Sequence, residues 1–209
     1  VSSRPVPIVA IKAAVFLLAL GPLARLLLAG TTGAFGGLGA NPVEFVTRST
    51  GTWTLVFLCI TLAITPARRL TGWNWLQRLR RMIGLFAFFY GALHFTTYFW
   101  LDQWFDLAAI IKDIVKRPFI TVGFAAFVLM IPLALTSTDA MVRRLGRRWG
   151  KLHRLVYAVA IAAILHYWWH KAGKNDYSEV GWYAAVVIGL LGWRLVDRWR
   201  KRVTPRTQA

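Results

Sequence analysis

The chain has 209 residues, of which 57% are hydrophobic, and a mean hydropathy of +0.50, which excludes a soluble domain of this size. Its formal net charge of +18 would suggest a nucleic-acid partner in a soluble protein, so the positions of the charges decide the matter. A single cysteine, Cys59, excludes a disulfide framework and a cysteine-ligated iron–sulfur cluster, and is expected to be a packing residue.

In chain order, six apolar segments are predicted to cross a bilayer: roughly Ile8 to Leu28, Thr52 to Ile64, Met82 to Leu101, Phe119 to Thr138, Leu155 to Trp169 and Val180 to Val196. Most approach the ~20 residues that span ~30 Å of hydrocarbon, with the second and fifth short unless their polar flanks lie at the headgroups. The connection TTGAFGGLGANPVEFVTRS after the first segment reads as a glycine-rich loop. DQWFDLAAIIKDIVKRP after the third reads as an amphipathic helix on the membrane surface. Pro118 suits the start of the fourth segment and Pro132 is predicted to kink it.

With both termini cytoplasmic, nineteen of the 26 Lys and Arg residues fall inside and six outside (Arg48, Lys112, Lys116, Arg117, Lys171, Lys174). Arg25 lies within the first segment. The charge therefore follows the positive-inside rule, which supports an even number of spans and removes the need for nucleic acid. All eleven tryptophans, Trp53 among them, are expected near span ends, where indole favours the headgroups. No internal repeat is evident, and residues 1–209 read as one domain: an all-α integral membrane protein, a six-transmembrane-helix bundle. The stretch beyond Val196 is too short for a nucleotide-binding domain, so any electron donor is expected to be a separate molecule.

Three of the four histidines occupy KLHRLVYAVAIAAILHYWWH, and the fourth is His94. His94 lies 13 residues beyond Arg81 and His166 lies 12 beyond Arg154, on two helices running the same way. At ~1.5 Å per residue both imidazoles sit ~18–20 Å above those arginines, at one depth in the outer half of the bilayer. Two imidazoles at one depth suit the axial positions of a b-type heme, and no CxxCH motif for covalent attachment is present. His153 sits ~20 Å lower and ~140° around the helix from His166, so it must serve another site. At its depth the third segment offers Arg80 and Arg81 instead of histidine, so that site takes another ligand or another group, such as a flavin phosphate facing Arg78, Arg80 and Arg81. His170, one turn beyond His166, is expected at the interface and is the rival ligand. The ordinary alternative for a lone intramembrane histidine is an interhelical hydrogen bond.

Several segments, in order, resemble one family: GGLGANPVE, TLAITPARR, RRMIGLFAFFYGALHFTTY, KRPFITVG and LALTSTDAMVRRLGRRWGKLHRLVY. They resemble the heme-binding membrane subunits of bacterial periplasmic methionine-sulfoxide reductase systems, within the ferric-reductase-like transmembrane group. The resemblance implies a bacterial inner-membrane electron conduit carrying heme b, one or two per chain, and FMN. It implies a cytosolic flavin reductase or quinol as donor and a periplasmic molybdopterin-containing methionine-sulfoxide reductase as acceptor. It maps the family's heme histidines onto His94, His153 and His166. Rival readings are a ferric-chelate or oxygen reductase of the same fold, a passive membrane anchor, and a histidine-dependent proton or metal transporter. The last lacks acidic partners for the histidines within the spans.

Overall fold

The computed structural model describes residues 7–172 and 176–203; Arg4, Lys174 and Arg206 of the charge count lie outside the described residues, as do the side chains of Lys201 and Arg202. Nine helices follow one another among the described residues: α1 (Ile8–Thr32), α2 (Pro42–Thr71), α3 (Arg80–Thr96), α4 (Leu107–Lys116), α5 (Pro118–Leu135), α6 (Asp139–Leu145), α7 (Arg147–Leu152), α8 (Leu155–Ala172) and α9 (Ser178–Val203). Short 3-10 turns at Ala34–Gly36 and Asn74–Arg78 join the first three, and α3 widens into a π-helical turn over Thr97–Asp102.

Five helical segments are long and apolar enough to cross a membrane: Ile8–Thr32, Pro42–Thr71, Arg80–Asp102, Pro118–Leu135 and Ser178–Arg200. The 18-residue α8, the sixth expected, is not among them because His166, His170 and Lys171 at its end lower its mean hydropathy. Large apolar side chains cover the outside of the bundle, including Leu17 and Leu18 on α1, Val128 on α5, and Trp182 and Ile188 on α9. A bilayer, not water, is the solvent for such a surface. The molecule is a membrane protein.

The largest departure from the sequence reading is the start of α2. It begins at Pro42, ten residues before the expected Thr52, inside what reads as a loop. Asn41 caps it, its side chain accepting from the Glu44 amide at 3.1 Å, and Pro42 occupies the first helical position, where its missing N–H costs nothing. The extension carries Thr47, Arg48 and Gly51 onto a rigid helix. It also places Trp53 well inside α2, tilted against Phe57 with ring centres 5.8 Å apart, half-buried against the core and away from a span end. Pro132 stands only one turn from the end of α5, which continues through it to Leu135.

Two antiparallel pairs dominate the packing, α2 with α3 and α5 with α8, and α3 lies against α5 to join them. α9 closes the bundle against α2 and α8, while α1 touches α3. Tyr90, fully buried on α3, fixes α1: its hydroxyl donates to the Ala19 carbonyl at 2.8 Å and accepts from the Leu23 amide at 3.2 Å. Ion pairs Arg69–Asp197 and Arg81–Asp139 gather the arginine-rich ends of α2, α3, α6 and α9 at one end of the bundle. The other end carries the π-turn and α4, whose Ile110 packs inward while Leu107, Ile111 and Val115 stay exposed.

Candidate functional site

The antiparallel pairing of α2 with α3 brings His94 to Thr47, and that of α5 with α8 brings His166 to Phe119. Each ring donates its Nδ1–H to a main-chain oxygen of the neighbouring helix, His94 to the Thr47 carbonyl at 2.8 Å and His166 to the Phe119 carbonyl at 2.7 Å. A carbonyl can only accept, so both imidazoles are held as the tautomer whose Nε2 carries the lone pair. The packing of α3 on α5 then sets the two ring centres 6.0 Å apart, with planes 73° apart.

Both rings line one cavity of about 650 Å³ between α2, α3, α5 and α8. Leu55, Leu58, Phe95, Phe124 and Phe127 give it apolar walls. Toward the α4 end the lining becomes polar, with Asn41, Arg48, Tyr98, Asp102, Arg117 and His170. Arg48 also faces Glu44 at 3.6 Å and Arg117 faces Asp113 at 3.3 Å. Thr47, whose buried hydroxyl has no hydrogen-bond partner among the described residues, is part of the lining too.

This donor set suits a planar tetrapyrrole better than a bare ion. No group of three or more His, Cys, Asp or Glu side chains is placed to hold a metal among the described residues. Two imidazoles alone leave a metal under-coordinated, whereas a porphyrin supplies the remaining four nitrogens. Metal–nitrogen bonds of about 2 Å on each side of an iron, plus the half-width of each ring, separate imidazole centres by about 6 Å. An apolar slot with two guanidinium groups at its mouth also matches a macrocycle bearing two carboxylates.

His153 is not part of this cavity lining. Its ring stacks on Trp149 with centres 3.9 Å apart, and its Nε2 lies 3.0 Å from the Thr136 hydroxyl. That hydroxyl spends its proton on the Pro132 carbonyl at 2.6 Å, so it accepts from His153, which is the Nε2–H tautomer. Trp149 donates to the Thr136 carbonyl at 2.9 Å and completes the cluster. Burial, with the charges of Arg80 and Arg81 added, holds His153 below the ordinary imidazole range and therefore neutral at pH 7. Arg81 is committed to Asp139 at 2.6 Å, and that hydrogen bond holds the Asp139 carboxyl below its usual range; Arg78 is exposed and Arg80 half-buried. His170 lies beside Phe119, ring centres 5.8 Å apart, one turn from His166 on the cavity's polar side.

Sequence reasoning paired His94 with His166 but missed their main-chain acceptors and the two arginines. Arg48 and Arg117 read only as outer charges, because nothing in their neighbours signals a shared cavity. The acceptors are backbone atoms and carry no residue signature at all.

An all-helical membrane bundle with a paired-histidine cavity defines a class of protein, and residues 50–164 match the family described as ferric reductase like transmembrane component. Similar proteins are each described as a protein-methionine-sulfoxide reductase heme-binding subunit MsrQ. That of Ralstonia nicotianae is 65% identical over 91% of this chain and 87% of its own length. That of Herminiimonas arsenicoxydans is 59% identical over 95% and 90%, and that of Bordetella pertussis 58% over 94% of each. The chain belongs to this MsrQ family, within the ferric-reductase-like transmembrane group. No solved structure matches it.

Proposed function

We propose that this chain is the heme-binding, electron-conducting membrane subunit of a methionine-sulfoxide reductase system. The observation that carries the reading is the histidine pair, each Nδ1 committed to a carbonyl of a neighbouring helix and each Nε2 left as a lone-pair donor beside a shared cavity. The relatives' designation as heme-binding subunits agrees with it.

In this reading His94 and His166 would hold a heme b between them through their Nε2 atoms. When bound, the heme would supply a one-electron carrier, and two imidazoles committed to it would favour electron transfer over oxygen activation. The chain's own part is to hold. The Thr47 and Phe119 carbonyls fix both rings, the phenylalanine walls keep water out, and Arg48 and Arg117 are the cations available to the heme carboxylates.

Six spans, α8 included, with both termini in the cytoplasm place the arginine-rich end inside and the heme toward the periplasm of a bacterial inner membrane. Supporting this are the positive-inside distribution and the ion pairs that collect the basic ends together. Electrons then enter from a cytosolic flavin reductase or from quinol near His153. Arg78 and Arg80 supply the charge for an FMN phosphate there, since Arg81 already pairs with Asp139. A second heme on His153 requires its Nε2 to release Thr136. Electrons leave from the α4 end to a periplasmic molybdopterin-containing methionine-sulfoxide reductase. Transfer from the negative inside to the positive outside is favoured by up to ~2.3 kcal/mol per 100 mV crossed in full.

Proteoliposomes with reduced flavin and its reductase inside, and the periplasmic enzyme with methionine sulfoxide outside, test the whole path. Sulfoxide reduction is expected with the wild-type chain and is lost in His94→Ala. Undiminished reduction with His94→Ala takes His94 out of the electron path and overturns the reading; reduction no faster with the wild-type chain than without it makes the chain a passive anchor.

A further inference from the structure

The two histidines are held by one device used twice. In both helix pairs the acceptor carbonyl belongs to the residue 47 positions before the histidine. Four residues after each acceptor, on the same face of the same helix, stands a glycine: Gly51 after Thr47 and Gly123 after Phe119. The carbonyl of helical residue i points toward residue i+4, so a ring reaching that oxygen from another helix must pass over position i+4.

The space left is small. A Cβ at Gly51 would lie 3.0 Å from both Cε1 and Nδ1 of His94. One at Gly123 would lie 2.5 Å from Nδ1 and 2.8 Å from Cε1 of His166. Glycines in other helices differ: a Cβ at Gly84 on α3 would meet only Thr61 at 3.6 Å, and one at Gly189 on α9 would meet nothing within 4 Å. Glycine is also a poorer helix former than alanine, so its presence at these two positions runs against helix stability.

We infer that Gly51 and Gly123 are positioning residues that open the main chain to the two imidazoles, and so set the tautomer and donor strength of both axial ligands. The inference rests on the reading of His94 and His166 as heme ligands. Donating Nδ1–H to a carbonyl makes the imidazole a stronger donor through Nε2, which favours ferric iron and lowers the midpoint potential. Crowding the ring off its carbonyl weakens the ligand and raises the potential.

The test compares purified wild type with Gly51→Ala, Gly123→Ala, Gly84→Ala, Gly189→Ala and His94→Ala, measuring heme-to-protein ratio, ferric EPR spectrum and midpoint potential. Gly51→Ala is expected to keep its heme with an upward-shifted potential. Gly123→Ala, the tighter site, is expected to lose at least half of its low-spin signal. Gly84→Ala and Gly189→Ala should match wild type. Wild-type spectra and potentials in both Gly51→Ala and Gly123→Ala overturn the inference, as does an equal change in Gly84→Ala. Should Gly123→Ala fail to accumulate, Gly51→Ala decides by its potential. Loss of heme in His94→Ala with unchanged glycine variants removes only the positioning role. Full heme in His94→Ala removes the axial-ligand reading beneath it.

Discussion

The two ends of the bundle use the same side chain in opposite ways. At the α4 end, His94 and His166 give Nδ1–H to main-chain carbonyls and carry the lone pair on Nε2 beside a cavity. At the arginine-rich end, His153 gives its Nε2 proton to Thr136 and stacks on Trp149. An imidazole's chemistry is decided by which nitrogen its neighbours occupy, and that depends on the helix facing it. The first arrangement is ready for a metal; the second would have to be dismantled to accept one through Nε2.

The comparison breaks most visibly at the histidines. On the proposed reading, His166→Ala, like His94→Ala, should reduce bound heme at least tenfold, read as the heme-to-protein ratio, whereas His153→Ala should leave the heme spectrum intact and slow only its reduction from the proposed cytosolic donor. A His153→Ala protein without the outer heme signal would contradict the division of labour. A smaller effect is expected from Arg48→Gln with Arg117→Gln. At roughly 1.5–3 kcal/mol for a hydrogen bond to a charged group, each loss should weaken heme retention about tenfold or more, measured by transfer to apomyoglobin. Retention equal to wild type would take both arginines out of the site.

Tyr90→Phe sharpens the comparison from outside both ends. It removes one hydroxyl bridging Ala19 and Leu23, so a loss of about 1 kcal/mol in detergent unfolding is expected with the heme spectrum unchanged. A shifted spectrum would mean that α1 reaches the site through α3. The smallest effect belongs to Asp139→Asn, which removes an exposed partner of Arg81 and should leave unfolding within error of wild type.

The sequence carried the helices and the histidine pair because both are counting problems. Apolar runs have a length set by the bilayer, and His94 and His166 stand at similar distances from arginine clusters that mark one face. What remained hidden depends on contacts between helices. The connection holding Pro42 reads as a loop, yet Pro42 starts a helix, which hid that Thr47, Arg48 and Gly51 share one helix with core residues such as Leu55 and Leu58. Nothing local to Tyr90 reveals that its hydroxyl bridges to α1. The repeat of carbonyl, glycine and histidine in two helix pairs left too few matching residues to register as a sequence repeat. The apolar count made α8 a span, although the polar residues at its cavity end place it below the hydropathy of the other five.

The most direct test of the central claim is pulsed EPR of the ferric protein carrying 15N-labelled histidine. Two strongly coupled imidazole nitrogens are predicted on one low-spin iron, with one coupling lost in each of His94→Ala and His166→Ala where residual heme permits measurement. A wild-type spectrum with one or no coupled histidine nitrogen would contradict the account.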